Sequence, residues 1–176
     1  VITYSKWSAP SNQADRNQVV VSWGDGAQDT IGRVNGPDID PPDGYPDGVF
    51  VAADIKKNIY TGIHTYPGVP PPPNRFYLVE FYDQNRMASI ANISNSVDVP
   101  FYVEDTIKFP TDLANIGFNS SPILLNPPID YANIGQIFYH NPNAYDPNGD
   151  SLDFKLIAPL QDHDLNVPLY SYPDQY

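Results

Sequence analysis

The chain has 176 residues, and its charge and cysteine content exclude several classes of protein. Nine basic residues stand against 21 acidic ones, and the formal net charge of −12 repels phosphate backbones and anionic membrane surfaces. Nucleic acid is therefore not an expected partner, and no apolar run is long enough to predict membrane insertion. The chain has no cysteine, which excludes disulfides and thiolate-bound zinc, whereas its acidic surface attracts hard cations with oxygen ligands.

Turn-forming residues divide the chain into short segments. The 20 proline and 11 glycine residues disfavour long helices, and the 13 tyrosine and 8 phenylalanine residues favour half-buried strands. The sequence therefore predicts an all-β protein. A chain of this length accommodates either one large domain or two small sandwiches.

In the first half, β-rich runs alternate with turns. Four runs have the composition of strands, at residues 1–4, 18–23, 49–53 and 75–82. Residues 35–48 consist almost entirely of turn-forming residues and predict a long loop. The proline-rich residues 67–73 predict polyproline II conformation at the surface.

The second half repeats this pattern after a predicted boundary. Residues 92–100 are small and polar and end in proline, which predicts a linker between a module at residues 1–92 and another at residues 93–176. The second module carries further predicted strands at residues 101–109, 122–125, 135–140 and 152–157. Short strands separated by turns are typical of β-sandwiches. We therefore expect two tandem Ig-like β-sandwich modules, the second not necessarily complete.

Three motifs of the first half occur in a fixed order: V-S-W-G-D-G at residues 21–26, G-I-H-T-Y-P-G at residues 62–68 and F-Y-L-V-E-F-Y-D at residues 76–83. This series resembles the PKD domain, an Ig-like sandwich with a tryptophan before a Gly-Asp-Gly-like turn, a later His-x-Tyr and a late strand. Here the turn is shortened and a long loop precedes the histidine. The resemblance covers residues 1–92 and implies a β-sandwich there.

The same motifs have a physical interpretation. Glycine on both sides of Asp25 permits the positive φ angles of a tight turn. His64 and Tyr66 are two residues apart, which places them on one face of an extended segment. We expect both rings to pack on Trp23.

Two motifs of the second half, N-P-P at residues 126–128 and N-P-N-A-Y-D-P-N-G-D-S-L at residues 141–152, resemble cadherin-like and related Ig-like repeats. Those repeats carry an N-x-P-P start and a D-P-D-G-D-S-L calcium loop. Short motifs also follow one another along most of the chain, at residues 85–86, 95–96, 100–102, 121–122, 126–128 and 150–152. Their order resembles gliding-motility-associated adhesins exported by the type IX route. This resemblance implies secretion, attachment at the bacterial cell surface and contact with other repeats of the same protein.

A calcium site is predicted in the second of these motifs. Asp146, Asn148 and Asp150 alternate along the chain, and Gly149 permits a sharp bend that brings their oxygens together. The further candidate ligands are Asp153, Asn143 and the region of Asn119 and Asp130. No glutamate stands at the twelfth position, so an EF-hand is not expected. The competing interpretation is a solvated turn whose Asx side chains bond their own backbone.

Three tripeptides fit the Asp-Ser/Thr-apolar O-glycosylation motif of such surface systems. Their acceptor residues are Thr30, Thr106 and Ser151. The resemblance to surface adhesins implies that these three positions are candidates for glycans. Tripeptides of this kind also arise by chance.

No catalytic motif accompanies these features, and we expect no enzyme activity. The sequence has no G-x-S-x-G, no P-loop and no dinucleotide fingerprint, and His64, His140 and His163 have no ligand spacing. The expected function is a non-catalytic structural or adhesive module of an extracellular surface protein or fibre, made rigid by Ca²⁺. Self-assembly by strand addition and a glycan or other cell-surface ligand are compatible with it. The alternatives are a carbohydrate-binding module with a Tyr/Trp platform and an accessory domain of a secreted hydrolase.

Overall fold

The computed structural model describes residues 1–8, 15–39, 42–70, 73–109 and 119–172. In these ranges the regular structure is β-strand, apart from one 3-10 turn at Ser96–Asp98. The predicted all-β class is confirmed. None of the described residues belongs to a helix that is long and apolar enough to cross a membrane.

Eleven strands lie within the described ranges. In chain order they are β1 (Ile2–Lys6), β2 (Gln18–Ser22), β3 (Gln28–Gly32), β4 (Val49–Ala52), β5 (Ile55–Ile59), β6 (Phe76–Asp83), β7 (Phe101–Lys108), β8 (Ile123–Leu124), β9 (Ala144–Tyr145), β10 (Leu160–Asp162) and β11 (Leu165–Asn166). They form a three-stranded sheet in the order β1-β5-β4, a six-stranded sheet in the order β11-β10-β7-β6-β2-β3, and the small β8-β9 hairpin. All of these pairings are antiparallel.

The hydrophobic core lies on one face of the six-stranded sheet. In β2, Val19 and Val21 are buried and Val20 between them is exposed, as the two-residue period of a strand requires. The core cluster consists of Val19, Val21, Ile31, Tyr60 and Phe81. Tyr60 directly follows β5 and forms a β-bridge with Arg33, so this cluster joins the two larger sheets.

A buried ion cluster also connects these sheets. Lys56 of β5 and Arg33, which follows β3, are 1% and 3% exposed. The Asp15 carboxylate lies 2.9 Å from Arg33 Nη1 and 2.8 Å from Lys56 Nζ, the latter an ion pair without hydrogen-bond geometry. Asn58 Oδ1 accepts a 2.9 Å hydrogen bond from Arg33, and the Ser5 hydroxyl of β1 donates one of 2.9 Å to Asp15. One carboxylate therefore serves two buried cations from both sheets.

The six-stranded sheet contains strands from both sides of the predicted boundary between residues 92 and 93. β6 and β7 pair over eight residues, from Phe76 opposite Lys108 to Asp83 opposite Phe101. The two halves of the sequence therefore share one sheet. The expectation that residues 93–176 form an Ig-like module of their own stays a prediction.

The segment predicted as a linker, residues 92–100, is packed against the end of the described chain. Ile93 and Val99 form a second buried cluster with Val167, which follows β11. Asn92 and Ser171 exchange two hydrogen bonds, of 3.2 and 3.3 Å. The segment thus anchors the β10-β11 hairpin to the rest of the fold.

The predicted strands have different outcomes. Those at residues 18–23, 49–53, 75–82 and 101–109 are confirmed as β2, β4, β6 and β7, and residues 2–4 of the run at 1–4 fall in β1. The run at 122–125 contains only the two residues of β8. The predictions for residues 135–140 and 152–157 are wrong, because neither run forms a ladder with any other part of the described chain.

Replacing Asp15 by asparagine tests the ion cluster. We expect Asp15→Asn to lower the free energy of unfolding by about 3–5 kcal/mol, because two buried cations lose their counter-charge. Urea denaturation followed by tryptophan fluorescence measures the change. The control is Asp164→Asn, at a side chain that is 87% exposed, which should shift stability by less than about 0.5 kcal/mol. Equal, small effects of the two substitutions would contradict this role of Asp15.

Candidate functional site

The predicted calcium bend is a turn held by the carboxylate of its first residue. Asp146 Oδ1 accepts hydrogen bonds from the backbone amides of Asn148, at 2.7 Å, and Asp150, at 3.2 Å. The Asp146 carbonyl accepts a third, of 3.1 Å, from Gly149, whose φ of 84° favours glycine. The structure therefore brings Asp146, Asn148 and Asp150 into one turn with Asx hydrogen bonding.

The bend contacts the segment before β8. Asn148 Oδ1 accepts a 2.7 Å hydrogen bond from the amide of Ser120. Asp153 is exposed and lies beyond the turn. In the described portion of the chain, no three His, Asp or Glu side chains are grouped closely enough to hold a metal ion. Calcium at this bend stays a prediction, and its further ligands would be backbone carbonyls, amide oxygens or water.

The three candidate glycosylation sites are all exposed. Thr30 lies on the edge strand β3, Thr106 on β7, and Ser151 directly after the Asp146 bend. The side chains of the preceding Asp29 and Asp105 accept hydrogen bonds from Trp23 and Ser121 respectively. Exposure meets a requirement of glycosylation, which itself stays a prediction.

A ladder of aromatic rings begins at Trp23. The His64 ring stacks on Trp23 with centroids 5.0 Å apart, and Tyr66 meets His64 edge-on at 4.7 Å. Tyr66 in turn stacks on Tyr77 at 4.2 Å, and Phe109 closes the ladder edge-on at 5.6 Å from Tyr77. The expected packing of His64 on Trp23 is thus observed, whereas Tyr66 packs on His64 and not on Trp23 itself, and their segment is not a strand. These rings support the fold and leave no open aromatic platform at Trp23.

The Gly-Asp-Gly turn positions the ladder. Gly24 has a φ of 81°, and a Cβ atom there would lie 2.4 Å from the carbonyl oxygen of Leu78, so only glycine fits. Asp25 accepts hydrogen bonds from the Ala27 amide, at 3.0 Å, and from His64 Nε2, at 2.8 Å. The bond from His64 is the main reason that the pKa of Asp25 lies below its ordinary value.

A network of titratable side chains lies on the six-stranded sheet. Glu80 of β6 and Glu104 of β7 stand directly opposite each other, a repulsive pair for two carboxylates. The Tyr102 hydroxyl lies 2.7 Å from Glu80 and 2.8 Å from Glu104, and shares its proton between them. His163 Nδ1 contacts Glu104 at 2.8 Å. The tyrosine and the histidine together offset the repulsion.

The pKa shifts in this network follow from these contacts. The hydrogen bond to Glu104 raises the pKa of His163, and the same bond lowers the pKa of Glu104. Burial, followed by its bonds to the two carboxylates, raises the pKa of Tyr102 well above the ordinary value of tyrosine. No short sequence motif indicates this network, because Glu80 and Glu104 meet only through the register of β6 and β7.

An open cleft of about 560 Å³ adjoins the network on the same sheet. It is lined by Gln18, Ser22, Gln28 and the half-exposed Tyr82, with Tyr102 at its base. Amide and hydroxyl groups beside an accessible tyrosine ring are the groups that a sugar-binding surface uses. The carbohydrate-binding alternative stays a prediction.

A second and larger cavity, of about 690 Å³, lies between the two larger sheets and the β8-β9 hairpin. Its walls are mostly apolar and include Tyr4, Phe81, Val103 and Leu124. The buried side chain of Arg86 also lines it. No sequence motif indicates this cavity, because its walls come from strands far apart in the chain.

Comparison with known proteins adds no relative. The sequence matches no protein-family model, and neither the curated proteins nor the solved structures include a significant match.

The His163–Glu104 pair predicts a specific response to substitution. We expect Glu104→Gln to return the pKa of His163 towards its ordinary value, because the main cause of the increase is lost. Titration of the histidine ring protons by NMR measures this shift. Asp130→Asn is the matched control, because Asp130 contacts His140, 3.1 Å away, and should leave His163 unchanged. An unchanged His163 pKa in Glu104→Gln would contradict the pairing.

The His163–Glu104 pair stabilises the fold over a limited range of pH. The contribution of His163 to stability is complete below the ordinary histidine pKa and is lost as the pH rises through the raised one. The contribution of Glu104 is present above the ordinary glutamate pKa and is lost as the pH falls through the lowered one. Both residues therefore contribute fully only between the ordinary pKa of glutamate and the ordinary pKa of histidine.

Proposed function

We propose that this chain is a non-catalytic β-module of an extracellular bacterial surface protein or fibre, and that it works by contact with neighbouring modules. One observation carries the proposal: two segments that belong to no strand, residues 134–139 and 152–157, present large apolar side chains to solvent. Phe154 and Leu156, for example, are 65% and 69% exposed. Soluble proteins rarely expose apolar side chains in such groups unless a partner covers them.

The second segment has the pattern of a strand without a sheet. Leu152, Phe154 and Leu156 alternate with Asp153 and Lys155, which would place the three apolar side chains on one face of a strand. Such a segment gains hydrogen bonds and burial by adding to an open sheet edge of a neighbour. β3 and β4 are edge strands of the two larger sheets and supply such edges. Strand addition between copies or repeats is therefore the proposed mode of contact.

The Asp146 bend connects the two apolar segments, which gives the proposed calcium ion a mechanical role. Asp146 and Asp150 bring two negative charges into one turn, where they repel each other. A divalent cation would neutralise them and fix the angle between the segments on either side. Glycans at Thr30, Thr106 and Ser151 belong to the same proposal, since a surface location would expose these residues to the modifying enzymes.

Strand addition predicts association that depends on the second segment. We expect the protein to associate at increasing concentration and the double variant Phe154→Lys/Leu156→Lys to remain monomeric, because buried lysine charges oppose the contact. Size-exclusion chromatography with light scattering measures the mass. Ile63→Lys is the control, because Ile63 is a lone apolar side chain, 92% exposed, outside both segments. A wild-type protein that is monomeric at every concentration would contradict assembly between copies.

The calcium proposal predicts a shift in thermal stability. Calcium at 100 times its dissociation constant would stabilise the folded form by about 2.7 kcal/mol, and a chelator would reverse the gain. Asp146→Asn should abolish this response, because asparagine retains an oxygen for the turn but loses the charge. Asp98→Asn, at an acidic residue remote in sequence, should retain it. Melting curves that do not change with calcium or chelator would rule out a structural ion.

A further inference from the structure

Arg86 is a buried cation, and the groups that bond it within the described part of the chain are neutral. Arg86 follows β6 in the chain, and the residue is 8% exposed. Nε donates a 3.0 Å hydrogen bond to the Pro100 carbonyl, and Nη2 donates one of 2.6 Å to the Leu160 carbonyl. The guanidinium also lies 5.0 Å from the centroid of the Phe101 ring. These contacts fix its position without supplying a negative charge.

No carboxylate among the described residues forms an ion pair with Arg86. The nearby Asp83 is paired with Arg16 instead, at 2.8 Å. Burial lowers the pKa of Arg86 below its ordinary value, because it disfavours the charged form. A buried charge without a counter-charge is costly in free energy, so an anion beside Arg86 would be strongly favoured.

The space beside Arg86 is apolar and large enough for a small molecule. The cavity of about 690 Å³ is walled by Ile2 and Tyr4 of β1, Val103 of β7 and Leu124 of β8. Ligand pockets in proteins typically measure about 300–1,000 Å³ and combine apolar walls with a few polar groups. Asp83 and His140 also line the cavity, but Asp83 is paired with Arg16 and His140 contacts Asp130. Among the described residues of the lining, Arg86 is therefore the charged side chain without a counter-ion.

We propose that this cavity binds a small monocarboxylate with a hydrocarbon body, whose carboxylate pairs with Arg86 while its chain lies between the sheets. The inference goes beyond the proposed module function and does not depend on it. Charge and shape complementarity favour this occupant, because a carboxylate supplies the negative charge that Arg86 lacks and a hydrocarbon chain matches the apolar walls.

Decanoate, decanol and decyltrimethylammonium are suitable probes, because they share a hydrocarbon chain and differ in charge. Isothermal titration calorimetry should show saturable, one-to-one binding of decanoate, about tenfold or more tighter than that of decanol. The acidic surface as a whole attracts the cation, so a preference for decanoate must come from a local positive charge. Decanoate that fails to saturate, or that binds no tighter than decanol, would overturn the proposal.

Two variants locate the site. Arg86→Met should reduce decanoate affinity to that of decanol, and Arg86→Lys should retain part of the preference. Because Arg86 also bonds two carbonyls, Val103→Trp is the independent test. This substitution fills the cavity from the partly exposed β7 position and leaves Arg86 in place. Loss of decanoate binding in Val103→Trp supports the proposal, and unchanged binding in either Val103→Trp or Arg86→Met overturns it.

Discussion

The carboxylate of Asp15 is the contact that makes two sheets into one fold. It faces Lys56 from the three-stranded sheet and Arg33 from the end of β3, and both cations are almost fully buried. Charges so deep in a protein are stable only when they are paired and hydrogen-bonded. The cluster therefore fixes how the sheets lie on each other, and the apolar core around Tyr60 packs within that arrangement.

Away from this ion cluster, more of the large apolar side chains are exposed to solvent. The long β6-β7 pairing extends the six-stranded sheet into the second half of the chain, and the small cluster around Val99 anchors the β10-β11 hairpin. Residues 134–139 and 152–157 have neither a ladder partner nor a core to cover them within the described chain. A rigid first part and an open, apolar second part suit a module completed by contact with its neighbours.

The contrast between β2 and β5 shows what the sequence predicted and what it did not. β2 has alternating valines, and its burial follows from them. β5 has the sequence I-K-K-N-I and gives no such signal, because Lys56 and Asn58 point inward to the ion cluster. Residues 152–157 have a strand pattern but lack a partner, which local sequence does not reveal. The turn at Asp146 was predictable because its contacts are local, whereas the Arg86 cavity combines strands distant in sequence.

Hydrogen–deuterium exchange of the isolated protein tests most directly the claim that a rigid double sheet carries unpaired apolar segments. Backbone amides of β2, β5, β6 and β7 should be strongly protected, since they bond within the sheets. Amides of residues 152–157 should exchange rapidly in the monomer and become protected when the protein associates. Protection of residues 152–157 in the monomer equal to that of β6 would contradict the account, because the segment would then already be paired.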